Sequence, residues 1–116
     1  MIGKALVAAS TKPLILSILE FRESYGYQII QRVRELSGDQ LQWADGMLYP
    51  VLHRLEKEGF IKSSWQKSET GRKRKYYAIT KAGKVELEYE KDQWLSVNSV
   101  FAQLWGLKLT ISTPSN

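Results

Sequence analysis

A chain of 116 residues, 43% of them hydrophobic, is sized for one domain or a domain with an appended element, and its composition is that of a folded protein. There is no cysteine to build a disulfide framework, and the single histidine, His53, offers no ligand set for a structural zinc. Seventeen basic against twelve acidic side chains leave a formal charge of +5, which favours polyanions such as nucleic acid, although many ordinary proteins share that balance.

The apolar run within MIGKALVAASTKP is too short for the core of a secretory signal, and no apolar span reaches the ~18 residues of a membrane helix. A cytoplasmic protein without a membrane segment is the expectation. In PLILSILEFR (13–22), Leu14, Ile15, Ile18 and Leu19 share one helical face, with Pro13 expected in the first turn, where its missing N–H is harmless. Residues 1–12 then form a separate arm or helical turn. In SYGYQIIQRVRELSGD, Ile29, Ile30, Val33 and Leu36 have helical spacing and Gly38 is a stop signal. A short loop holding Trp43 follows.

The stretch GMLYPVLHRLEKEGFIKSSW (46–65) holds a third helix, from about Asp45 to Glu58 and ended by Gly59. Leu48, Val51, Leu52 and Leu55 recur at three- and four-residue spacing on one face, which leaves Tyr49, His53, Arg54 and Lys57 on the other. FIKSSWQ alternates Ile61, Ser63 and Trp65 against Phe60, Lys62 and Ser64, a strand pattern. KSETGRKRK reads as a polar loop and YYAI as a second strand, so the pair make a hairpin. From Lys81 to about Leu107 the chain reads as one long helix, with Trp94, Val97, Phe101 and Leu104 spaced as on a coiled-coil seam. TISTPSN is a frayed tail.

The order helix, helix, helix, strand, basic loop, strand, long helix predicts a mainly α fold with a small β-hairpin: a winged helix-turn-helix plus a C-terminal dimerisation helix. The expected divisions are 1–80 for the DNA-binding domain, 81–109 for the dimerisation helix and 110–116 for the tail. In such a domain the second helix of the helix-turn-helix enters the major groove, where base edges are distinguishable. Tyr49, Pro50, His53, Arg54 and Lys57 sit on that helix, although a merely solvated helix face explains their pattern equally well. Arg72, Lys73, Arg74 and Lys75 are four consecutive cations, expected at the hairpin tip, where they straddle a phosphate backbone or simply discourage edge-to-edge aggregation. Trp94, Phe101 and Trp105 give the last helix more apolar surface than so small a domain can cover. That seam, with Leu87, Val97 and Leu104, either pairs with a second copy or packs back on its own domain.

YGYQIIQRV (25–33), LYPVLHRLEKEGFI (48–61) and GRKRKYYAITKAG (71–83) resemble the three signature stretches of the PadR family of bacterial transcriptional regulators. The short C-terminal region is similar to the smaller subfamily that includes the lactococcal multidrug-responsive repressor. The resemblance implies a dimeric winged-helix repressor that binds a palindromic operator and is released by a small molecule. By position it implies a recognition helix at Tyr49, Pro50, His53 and Arg54 and a wing at residues 72–75. Trp94 falls where multidrug-responsive members stack planar drugs between subunits, with Asn98 and Phe101 further along the same helix. This sequence departs from the pattern at Lys73, where many members have proline, and at Ala44 and Asp45, where Ser-Pro is usual, which hands the capping role to Asp45. Pro13 lies within a first helix that often runs through this point in relatives.

No cofactor is implied. An enzyme is not indicated, because no nucleophile is paired with a base, no metal cluster is formed and no glycine loop cradles a phosphate. The alternative reading is a dimeric ligand- or protein-binding module that lacks sequence-specific DNA binding.

Overall fold

The computed structural model describes residues 1–107, so the expected tail lies outside the described residues. Four helices and a three-stranded sheet follow in the order α1 (Lys4–Phe21), β1 (Ser24–Tyr25), α2 (Gly26–Leu36), α3 (Asp45–Lys57), β2 (Ile61–Lys67), β3 (Lys73–Ile79) and α4 (Lys81–Trp105). This is the mainly helical winged-helix architecture that the order of elements predicts, with a two-residue strand added. The strands are antiparallel in the order β1-β3-β2.

Periodicity explains most of the core. Leu48, Leu52 and Leu55 of α3, Ile29 and Val33 of α2 and Ile15 and Leu16 of α1 are buried against one another, as one apolar face per helix requires. Trp43, in the α2–α3 connection, and Ile61, the first residue of β2, close the cluster. Leu36 has the right spacing but is exposed, because it lies on the last turn of α2, at the rim of the core.

Pro13 corrects the expectation for the N-terminus. It lies inside α1, and the residues before it are part of the same helix. An interior proline removes one helical hydrogen bond and costs roughly 3 kcal/mol in isolation. Burial on both sides of it, at Thr11 before and Ile15 and Leu16 after, holds the helix together. Lys12 is also tied to Glu86 of α4, and Lys91 lies 3.5 Å from Glu20, so α1 is pinned to α4 on either side of the proline.

Asp45 is not the cap of α3. Ala44 holds that position with no side-chain hydrogen bond, and Asp45 is the first residue inside, where its charge still favours the helix N-terminus. Gly59, at φ 85°, supplies the left-handed conformation that ends α3 and turns the chain into β2. The N-cap of α4 is Thr80, whose hydroxyl accepts from the Gly83 N–H at 3.0 Å and donates to the Gly59 carbonyl at 2.6 Å.

Candidate nucleic-acid interface

Helices α2 and α3 form the helix-turn-helix, and α3 turns its Leu48, Leu52 and Leu55 face inward. Gly46, Tyr49, Pro50, His53, Arg54 and Lys57 are therefore outward, all of them exposed. Tyr49, His53 and Lys57 follow each other at four-residue intervals and line one ridge. Arg54 lies to one side of that ridge. It borders the groove between the start of α1 and α3, which Ile2, Lys4, Val7 and Met47 also line, and it sits 3.8 Å from Glu58.

Tyr49 is held from behind. A β-carbon built at Gly26 would lie 2.7 Å from the Tyr49 Cζ, so this ring rests directly on the backbone of the first residue of α2. On the side of α3 that faces β2, the Glu56 carboxylate accepts a 2.6 Å hydrogen bond from the Ser63 hydroxyl. Tyr77 of β3 pairs with Ser63 and is buried. Burial pushes the Tyr77 phenol above its ordinary value, and the neighbouring Tyr49 and Glu56 push in the same direction. The outward ridge of α3 is thus fixed to α2 at its start and to the sheet near its end.

The wing differs from the sequence expectation. The loop is confined to residues 68–72, closed by Ser68 N–H to the Arg72 carbonyl at 2.8 Å and turned at Gly71, whose φ is 83°. Lys73, Arg74 and Lys75 are not at a hairpin tip; they are the first three residues of β3, paired with Lys67, Gln66 and Trp65. Strand alternation therefore splits the cationic run between two faces. Lys73 and Lys75 share a face with Tyr77, Trp65 and Lys67, which is the face turned toward α3. Arg74 is on the opposite face with Tyr76, its guanidinium carbon 4.5 Å from the Tyr25 ring centroid.

Two residues that sequence reasoning does not assign to the wing join it. Lys67 stands directly across from Lys73, and Trp65, 67% exposed, stands across from Lys75. The alternation of FIKSSWQ places Trp65 on the Ile61 side correctly, but the hairpin extends beyond the core, so that side is open to solvent at Trp65. Lys67 is visible in the sequence as a cation three residues after Ser64, but only strand register sets it opposite Lys73.

On α4 the expected pairing surface divides in two. Leu87 is 0% exposed and belongs to the chain's own core, so it is not part of a surface open to a partner. The close seat of α4 explains this: a β-carbon at Gly83 would lie 2.7 Å from Ile79 Cγ1 and 3.0 Å from the Phe60 carbonyl carbon. Beyond Leu87 the same helical face continues into Trp94, half-buried, and then Val97, Phe101, Leu104 and Trp105, all exposed. Phe101 and Trp105 stack on each other at 4.5 Å with their planes 5° apart. Asn98 is exposed between them and Trp94.

A sequence model of the Transcriptional regulator PadR-like family matches residues 15–89, which hold the helix-turn-helix, the wing and the seat of α4. The chain belongs to that family. A PadR-like transcriptional regulator from Bacillus cereus superposes with a TM-score of 0.80 at 30% identity, over 90% of this chain and 100% of that one. A PadR family regulator from Clostridium difficile is 36% identical with a TM-score of 0.70, covering 83% of this chain and 98% of that one. An uncharacterized protein of Lysinibacillus sphaericus is 30% identical over 100 residues, 86% of this chain and 92% of that one. PadR-like proteins are transcriptional regulators with a winged-helix DNA-binding fold, and this chain is accordingly a regulator and not an enzyme. Among the described residues no helix is long and apolar enough to cross a membrane. The PadR-like match ends at residue 89, before Trp94.

Proposed function

We propose that this PadR-like chain works in the cytoplasm as a homodimeric repressor that binds a palindromic operator and is released by a planar aromatic molecule. The observation that carries the reading is the α4 stripe: Val97, Phe101, Leu104 and Trp105 lie uncovered on the face whose earlier turn, at Leu87, is core. A contiguous apolar surface of that kind marks an interaction site. Pairing two such stripes about a two-fold axis covers both at once. It also gives the assembly two α3 helices, suited to half-sites about one DNA turn, ~34 Å, apart.

Within each head, Tyr49, Pro50, His53 and Lys57 are assigned to the major groove and Arg54 to its flanking phosphates. Arg72, Lys73 and Lys75, with Lys67, are assigned to the backbone beside it. Trp94, Asn98 and Phe101 line the space between paired α4 helices, where a planar molecule stacks on Trp94.

The test is a gel-shift of the promoter region beside the chain's own gene, searched first for an inverted repeat. Binding that weakens steeply with salt, reporting several phosphates per dimer, is the expected outcome. Equal affinity for unrelated duplexes would overturn operator recognition, and no shift at low salt would favour a non-DNA interaction module. For the effector, planar aromatics are expected to quench fluorescence through Trp94. Quenching that survives Trp94→Phe would assign the signal to Trp43, Trp65 or Trp105 and remove the proposed pocket.

A further inference from the structure

Arg74 lies within the basic run of the wing, yet its surroundings are those of a joint. Its guanidinium carbon is 4.5 Å from the Tyr25 ring centroid, and its Nε is buried with no hydrogen-bond acceptor among the described residues. The ring face attracts the guanidinium electrostatically, since an aromatic quadrupole favours a desolvated cation over it. Tyr25 is in turn held edge-on by Tyr76, its cross-strand partner, with ring centroids 5.3 Å apart. A second tie runs parallel: Gln66, paired with Arg74 on β2, reaches Glu23 at 3.3 Å. The outer face of the hairpin is therefore fastened at two points to the segment that begins α2.

That segment is also where the recognition helix is seated. Tyr25 is the N-cap of α2, with its backbone N–H bonded to Gln28, and the next residue, Gly26, carries the Tyr49 ring of α3. The wing is thus referred to residue 25, and the recognition helix to residue 26, of one rigid helix start.

We propose that Arg74 is a positioning residue. Through Tyr25 it fixes the wing relative to α3 and makes no phosphate contact itself, unlike Arg72. The proposal rests on the DNA-binding reading for its consequence, but the clamp itself is a property of the free protein.

The experiment compares Arg74→Ala, Arg74→Lys and Arg72→Ala in the full chain by hydrogen exchange without DNA and by salt-dependent binding to a generic 30-base-pair duplex. Arg74→Ala is expected to speed exchange in β3 and at the start of α2, and Arg72→Ala to leave both unchanged. The affinity decrease of Arg74→Ala is bounded by the strength of the clamp, roughly three- to thirtyfold per wing, with an unchanged salt slope. Arg72→Ala is expected to lower the slope by about 0.9 for each phosphate it no longer neutralises. Arg74→Lys, which keeps a cation over the ring, is expected to recover much of both signals. A slope that falls in Arg74→Ala as it does in Arg72→Ala would make Arg74 a phosphate ligand and overturn the proposal, as would unchanged exchange. A wild-type chain that ignored every duplex would defeat the DNA-binding reading, while the exchange measurement would still decide the clamp.

Discussion

The ring of Tyr49 rests on the α-carbon of Gly26, with no room between them for a methyl group. Tyr49 stands 44% exposed on the outward ridge of α3, so this packing sets where the start of α3 presents its hydroxyl. The obstruction to a larger residue at 26 is the far end of a side chain, which can rotate away. Gly26→Ala is therefore expected to change stability by no more than about 1 kcal/mol, since the helix gains propensity while the ring gives way. Operator affinity should nonetheless fall, and the loss should disappear in a Tyr49→Ala background. Urea unfolding together with a binding titration of the double-mutant cycle checks this; additive losses would show that Gly26 acts independently of Tyr49.

Gly83 presents the opposite case. The atoms facing a β-carbon there belong to the Phe60 carbonyl and to Ile79, and a backbone carbonyl cannot rotate aside. Gly83→Ala is expected to destabilise by roughly 1–3 kcal/mol through lifting α4 from its seat. Thr80→Ala, which removes the cap and the bond to the Gly59 carbonyl but leaves the seat of α4 in place, should cost about 1 kcal/mol. Denaturant midpoints distinguish the two; equal and small losses would mean that α4 is seated elsewhere.

These two glycines show where sequence is sufficient and where it is not. Helical periodicity identifies the inward face of α3 correctly, because Leu48, Leu52 and Leu55 are buried and Val51 is half-buried against the same core. Close approach between distant segments leaves no local pattern, so neither Gly26 nor Gly83 is distinguishable in sequence from a turn glycine. Pro13 defeats local preference, which puts proline at a helix start, because packing of Thr11 and Ile15 on either side overrides it. Leu87 looks like part of the pairing surface because it lies two turns before Trp94 on the same face of α4, and helical spacing does not mark where a helix leaves its own domain. The basic run reads as a loop because like charges repel; pairing with β2 extends the strand through it all the same.

Lys67 faces Lys73 across the hairpin, a like-charge pair at its loop end. Such a pair weakens the strand pairing by a few tenths of a kcal/mol in the free protein and is relieved by a polyanion. Lys67→Thr is expected to raise stability slightly while lowering DNA affinity and its salt slope. Thermal unfolding and a salt series read both effects, and undiminished affinity would remove Lys67 from the wing's DNA-facing set.

Tyr77 gives a pH dependence. Its folded pKa is raised above the ordinary value of 10.0, so the fold favours the neutral phenol. The stability this contributes is complete below the unfolded value and is lost as pH rises through the higher folded one. Above about pH 9 the wild type should lose stability more steeply than Tyr77→Phe, which has no proton to release there. Urea midpoints across that range test it; parallel curves would show that the phenol ionises without cost, contrary to its burial near Tyr49 and Glu56.

In the proposed reading, pairing of the α4 stripes is what turns one winged head into an operator-binding protein, and sedimentation velocity measures it most directly. The wild-type chain is expected to sediment at twice 13.4 kDa, and as two chains on one duplex carrying an inverted repeat. Phe101→Ser combined with Leu104→Ser, both exposed in the single chain, should yield folded monomers that bind the same duplex weakly. A wild-type protein that sediments at the mass of one chain at micromolar concentration, or a variant that remains dimeric, would contradict the account.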